Sequence, residues 1–389
     1  MSAIVGMRGS GSWDSDARPK NYRELILRLF PHDKAPLLGM TSKLKEESVD
    51  DPEFKVFTKG LPTQCAQVKS GGSYNNTDNP VVIPFTASSN EHTLFKAGHV
   101  VCNLDTGEVM WVTDASVADQ ITCYRPHTKV AGDAADYIMI IGSAHEEGAD
   151  TPAQITYDPS VVYNYTQIWR NAVALTNTAK VTRLRTGDQW KEAQKECLLL
   201  HNIEMEKAFF FGERKEVLTG DQPKRTTRGL YHWITTHVKD YSGGLDIDTW
   251  ENDLEDIFRY GSPQKMMLGG ARVINAMNKL ARVNSEVRLV PEAKVYGMEI
   301  FRYVTPFGTI MMKIHPLFSE NALLNKWAFI IDLPQLVYRY LKGRDTKYLK
   351  NRQGQGVDGV KDEYLTEAGL ECRFEETHAV IKNLSTVVA

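Results

Sequence analysis

DQWKEAQKECLLLHNIEMEKAFFFG, residues 188–212, reads as one long helix set between two regions that both read as strand. Asp188 can cap its start and Gly212 can end it, and at 1.5 Å per residue the rod is roughly 35 Å long. Trp190, Ala193, Cys197, Leu200 and Ala208 fall along one side, and Leu198, Met205 and Phe209 along a second. A helix that is apolar on two sides is expected to be covered twice. One such rod crossing a β-rich chain predicts an α+β fold.

Bulk properties narrow the class. With 389 residues the chain can build two or three domains, and 42% hydrophobic with 24% charged residues is a globular composition. The longest apolar runs, Tyr137–Ile141 and Trp327–Ile331, are too short to cross a membrane, and Met1–Lys20 lacks the apolar centre of a signal peptide. The expectation is a protein that stays in the cytoplasm where it is made, with no membrane contact. Five cysteines, Cys65, Cys102, Cys123, Cys197 and Cys372, are an odd number without close pairing, as expected of free thiols. A net charge of −3 excludes a protein that grips nucleic acid through a basic excess, so any contact with a genome should be weak, local and non-specific. The one basic cluster, Lys342, Arg344, Lys347, Lys350 and Arg352, reads as a solvated turn.

Along the chain, Met1–Lys20 is rich in Gly, Ser and Asp and reads as having no order of its own, followed by a short amphipathic helix through Tyr22, Leu25, Ile26 and Leu29. Phe54–Thr58 and Val81–Phe85 read as strands about a polar stretch, Gly60–Pro80, which predicts a long hairpin with a mobile tip. Such a hairpin, carrying Phe54, Val56, Phe57, Lys59, Val81 and Ile83, needs another surface to lie on. Strands at His99–Leu104, Glu108–Thr113, Gln120–Arg125 and Asp136–Ile141 predict a small β subdomain. After the long helix, Gly212–Arg228 reads as a polar loop, and Asp248-Thr249-Trp250-Glu251 as a capping box opening a helix that buries Trp250, Leu254, Ile257 and Phe258. A strand at Lys265–Leu268, a helix at Ala271–Arg282, a hairpin about Thr305–Gly308 and strands at Trp327–Ile331 and Leu336–Leu341 complete an α/β lobe. Cys372–Leu384 reads as a last strand returning to the long helix.

No chemistry emerges from the motifs. Gly354–Gly359 fits G-x-G-x-x-G, but charged residues precede it and too little chain follows for a βαβ unit. His145-Glu146-Glu147 lacks the second histidine of a zinc protease, and His201, Glu204 and Glu196 on the long helix find no matching ligands elsewhere. Trp111 and Trp169 read as core or interface anchors, and the sequon Asn75-Asn76-Thr77 carries no meaning without secretion. No catalytic residue, cofactor or metal is expected.

Four stretches carry a resemblance: Asp51-Pro52-Glu53-Phe54, Tyr163-Asn164-Tyr165-Thr166-Gln167-Ile168-Trp169, Thr227-Arg228-Gly229-Leu230 and Tyr303-Val304-Thr305-Pro306-Phe307-Gly308-Thr309. In their order, spanning roughly residues 20–385, the chain resembles major capsid proteins of tailed bacteriophages with the Hong Kong 97-type fold. The resemblance implies an N-terminal arm at 1–50, an extended loop at 51–86, an elaborating β subdomain at 87–160, a peripheral domain at 161–244 and 342–389 with spine helix 188–211, and an axial domain at 245–341. It implies a homo-oligomer of hexamers and pentamers closing an icosahedral head around double-stranded DNA. Inter-subunit contacts are then expected at Phe54, Val56, Phe57, Lys59, Val81 and Ile83 of the loop and Tyr22 and Leu25 of the arm. Lacking the long helical N-terminal extension of some relatives, the chain implies a separate scaffolding protein or a processed form, with portal and cement proteins as further partners. Some relatives weld subunits by a lysine to asparagine bond; Lys59 and Lys69 could supply the amine, but no partner is identified.

Physical chemistry is compatible with that reading. Arms and hairpins lying over neighbours gain apolar area without fixing the angle between subunits, at about 25 cal/mol per Å² buried. Two alternatives remain open: an encapsulin-like nanocompartment shell, and a nucleotide-binding enzyme built on residues 245–341.

Overall fold

The computed structural model describes residue 37 and residues 46–384, apart from 61–62, 87–90, 128, 152–153, 155, 183–187, 220–221, 284–288 and 296–297. Most of the expected arm, Tyr22 and Leu25 included, lies outside the described residues. The chain divides into two compact units, Lys59–Ser160 and the remainder on either side of it.

The larger unit has two main sheets. The first contains β1 (Glu46–Val49), β19 (Leu336–Leu341), β21 (Gly359–Cys372) and β10 (Gln167–Thr176) in that order, with β20 (Lys347–Leu349) also paired to β21. The second runs β13 (Val238–Asp240), β22 (Ala379–Lys382), β18 (Ala328–Ile331), β14 (Gln264–Gly269), β17 (Thr309–Ile314), β16 (Met298–Val304) and β15 (Leu289–Val295). Its strands are buried where the sequence is continuously apolar, as in Ala328–Ile331. The α+β class holds.

The long helix spans Gln189–Phe211, and Asp188 caps it by accepting from the backbone N–H of Trp190 at 3.1 Å. Gly212 ends it because no other residue fits: a Cβ there would lie 2.5 Å from the carbonyl oxygens of Ala208 and Thr227. The expected double apolar cover is corrected. The buried stripe is Cys197, His201, Met205 and Phe209, while Leu200 is 51% exposed and Leu198 half-buried. A spacing of four residues keeps that stripe on the first sheet, where Phe209 meets Trp169 edge-on at 5.7 Å and His201 Nε2 lies 2.7 Å from Thr366 Oγ1. At the last turn Phe210 turns to the second sheet and packs on Phe318 and Phe329, with ring centroids 4.9 and 5.0 Å apart.

Four further expectations change. The polar loop after the long helix contains a hairpin, β11 (Lys215–Thr219) with β12 (Gln222–Thr226), which lacks the apolar alternation that marks half-buried strands. Asp246, not Asp248, caps the helix Ile247–Phe258 by accepting from Thr249 N, because the helix starts one residue before Asp248. The strand returning to the long helix is β21, which includes the residues just before Cys372; the segment after it forms β22 in the second sheet. That sheet also takes β13 from before residue 245, whereas β19 belongs to the first sheet.

The expected hairpin of Phe54–Thr58 with Val81–Phe85 does not form. Instead β2 (Glu53–Thr58) pairs with β9 (Ser160–Tyr165) as a two-stranded ribbon, closed at its base by Thr166 N donating to Pro52 O at 2.8 Å. The whole smaller unit is inserted between these strands. Its own sheet runs β3 (Cys65–Gln67), β8 (Tyr137–Ser143), β5 (His99–Asn103), β6 (Val109–Asp114), β7 (Gln120–Tyr124) and β4 (Val81–Pro84). A bridge between Val68 and Phe85 joins the two ends, so the sheet closes into a small antiparallel barrel and leaves no long free edge. Ala66, Val81, Ile83, Val101, Met110, Ile121, Cys123 and Ile138 fill it.

Candidate assembly surfaces

The ribbon of β2 and β9 has one anchored end and one exposed end. Phe54 is 7% exposed and fits over Gly369, where a Cβ would stand 2.9 Å from its ring. Period-two alternation then turns Lys55 to solvent, where a 2.9 Å ion pair with Glu53 raises its pKa. Val56 is half-buried, Phe57 is 70% exposed and Lys59 is exposed; on β9 Val161 is 49% exposed. On the same strand Tyr163 and Tyr165 meet edge-on at 5.9 Å, and the Arg214 guanidinium lies 3.7 Å over Tyr163 and donates to its carbonyl. The base is therefore rigid, and the apolar side chains further along are uncovered.

Of the residues expected at subunit contacts, Val56, Phe57 and Lys59 lie on or beside this ribbon, and Phe54 is spent inside the subunit. Val81 and Ile83 are corrected outright: at 2% and 0% exposure they belong to the barrel core, because their strand pairs with β7 in place of β2. Tyr22 and Leu25 are outside the described residues. Lys59 and Lys69 are exposed.

Between the elements, charge is neutralised in place. On β21, Glu363, Glu367 and Glu371 share one face, and each is met by arginine: Arg170, Arg344, and Arg339 with Arg373. Glu47 of β1 also pairs with Arg339. Hydrogen bonding from Arg170 holds Glu363 below the usual carboxylate range. The basic segment 342–352 joins this pattern through Arg344, and short strand β20 forms within it.

Two buried polar centres join the elements. Glu206 of the long helix accepts from Leu37 N at 2.8 Å and lies 3.0 Å from His315 Nε2, tying a residue of the arm to the helix and to the end of β17. Asn164 donates to Leu370 O and Thr227 Oγ1, so two of the stretches noted in the sequence meet at β21. Sequence reasoning weighed His201 as a metal ligand and did not single out Glu206, so it missed both as core residues.

Among the described residues no sequence motif assembles a reactive centre. Gly354–Gly359 is a turn leading into β21 beside a cavity of about 360 Å³ lined by Leu175, Thr176, Arg352 and Val357. His201 is held by Asn171 and Thr366, its pKa lowered by burial, and Glu204 accepts from Asn171. Among the described residues no group of three metal-ligating side chains occurs. Trp169 is core, whereas Trp111 is 45% exposed on the barrel.

An extended ribbon that keeps Phe57 and Val161 in solvent provides a surface for contact with another macromolecule, the mark of a structural protein more than of a catalyst. Residues 7–385 match the family model described as SU10 major capsid protein, and the chain belongs to that family. A curated relative, the major capsid protein of Pseudomonas phage PaMx41, is 27% identical over 413 residues, covering 99% of this chain and 97% of its own. The mature capsid of bacteriophage PhiM1 is 10% identical with a TM-score of 0.49, covering 98% of this chain and 96% of that one. An encapsulin complex from Synechococcus elongatus is 11% identical with a TM-score of 0.43, over 60% and 79% of the two chains. The protein is a phage major capsid protein, a shell subunit of the virion head.

Proposed function

We propose that this chain closes an icosahedral head around double-stranded DNA by laying the ribbon of β2 and β9 over a neighbouring copy, with Val56, Phe57 and Lys59 in the contact and the arm around Tyr22 and Leu25 adding a second. Residues 161–244 and 342–389 then act as the peripheral domain, 245–341 as the axial domain, and the shell is built from hexamers and pentamers without catalysis. The observation that carries this is Phe57, a large aromatic side chain 70% exposed beside the half-buried Val56. Burying such a ring against another subunit yields about 1.5–3 kcal/mol per contact, multiplied over a shell.

Phe57→Ser tests it. The variant should melt as the parent does and form particles at least tenfold less well by electron microscopy and sedimentation. Normal particles from a folded Phe57→Ser subunit would remove the ribbon from the contact.

A further inference from the structure

Two helices packed into one core against the second sheet carry matched rows of opposite charge. Helix Ile247–Phe258 buries Trp250, Leu254 and Ile257 and turns Asp248, Glu251 and Glu255 to solvent, at positions i, i+3 and i+7. Helix Ala271–Val283 buries Val273, Ile274, Met277 and Leu280 and exposes Arg272, Asn275 and Lys279 at the same spacing. Each row is about 10 Å long, at 1.5 Å of rise per residue.

Neighbouring carboxylates on the acidic helix are used inside the subunit: Lys239 takes Asp253 at 2.6 Å and Asp256 at 3.3 Å, and Arg259 also reaches Asp256. By contrast, among the described residues Asp248, Glu251, Glu255, Arg272 and Lys279 form no ion pair, with each other or with anything else. Three acids on one exposed face repel one another, and so do the two bases. Opposite rows of equal length that do not meet within a chain can meet between chains. Two different patches that complement each other on one subunit define a head-to-tail contact, which closes rings when the rotation allows.

We propose that Asp248, Glu251 and Glu255 of one copy dock against Arg272 and Lys279 of the next, setting the register of subunits around each ring. This rests on the shell reading above but concerns a different surface from the ribbon. Exposed pairs contribute little singly; repetition around a ring and rejection of misaligned neighbours give the contact its effect.

Charge reversal decides it. Glu251→Lys with Glu255→Lys makes both rows basic, and Arg272→Glu with Lys279→Glu makes both acidic. Each variant should keep the parental circular dichroism and melting temperature and lose at least tenfold in assembled material. A chain carrying all four changes should recover assembly alone, and an equimolar mixture should recover six-membered rings but not closed particles, because basic and acidic copies can alternate around a hexamer and not around a pentamer. Should a reversal perturb folding, the milder Glu251→Gln with Glu255→Gln replaces it, and is expected to raise the subunit concentration needed for assembly and reduce its salt sensitivity. If the parent assembles and the folded reversals or the glutamine variant assemble equally well, or if mixing and the fourfold change restore nothing, the docking is wrong. A parent that never assembles overturns the shell reading itself, and this proposal with it.

Discussion

At the scale of single residues, the buried polar side chains decide how rigid the subunit is. Arg125 in the barrel is fully buried and bidentate to Glu108, while its other protons reach the carbonyls of Asn75 and Val130. One guanidinium thus ties two polar loops that look mobile in sequence. His378 has the opposite character. Its Nδ1 accepts from Asp332 N at 3.1 Å, so the ring is neutral, and burial together with the Lys265 charge lowers its pKa to about 3. Below its ordinary value near 6.5 the unfolded chain takes up a proton that the folded one refuses. Stability from this group is therefore complete above pH about 6.5 and drains away as pH falls toward about 3, with about 2 kcal/mol lost by pH 5. Denaturant titrations of the subunit at pH 7 and pH 5 should show that loss, and His378→Gln, which can still accept from Asp332, should flatten the dependence. Equal pH slopes for parent and variant would show that His378 is not the titrating group.

Among the elements, the ribbon shows where sequence reading succeeds and where it stops. Phe54–Thr58 and the four barrel strands from His99 to Ile141 were legible within a residue or two, because alternation and turn residues are local signals. Pairing is not local. β2 finds its partner about a hundred residues later, and the Gly- and Pro-rich stretch at 60–80, so like a hairpin tip, is barrel strand and loop fixed by Arg125 from far along the chain. The long helix, its Asp188 cap and Gly212 stop were fully legible; the buried stripe was not, because His201 lies in it through bonds to Asn171 and Thr366 that sequence alone does not display. The corrected topology has a consequence for truncation. Removing only residues 61–79 takes away β3 and the loop held by Arg125, so the barrel should unfold. Replacing residues 60–159 by a short Gly-Ser turn joins β2 to β9 directly, and should leave the melting temperature of the larger unit within a few degrees of the parent. If that excision unfolds the long-helix core, the barrel is not the separate unit described here.

For the molecule as a whole, the proposed head raises the question of how strongly the subunit would hold DNA. A chain with net charge −3 has no basic excess, and part of its arginine complement is already engaged by carboxylates. Arg344 is paired with Glu367, Lys342 lies 4.0 Å from Asp50, and Arg170, Arg339 and Arg373 are all occupied by carboxylates of β21. A phosphate competing for one of these guanidiniums must displace a carboxylate already in place. Counterion release, which drives non-specific DNA binding and grows with the number of phosphates neutralised, is therefore reduced at these guanidiniums. Purified subunits should give no stable complex with duplex DNA at about 150 mM salt in a fluorescence anisotropy titration, where surface attraction is screened within about 8 Å. Any binding seen at low salt should fall only shallowly as salt is raised. Glu363→Gln with Glu367→Gln frees two guanidiniums, and should both tighten that binding and steepen its salt dependence. A parent subunit that binds duplex tightly at physiological salt would show that the carboxylates of β21 do not shield the wall.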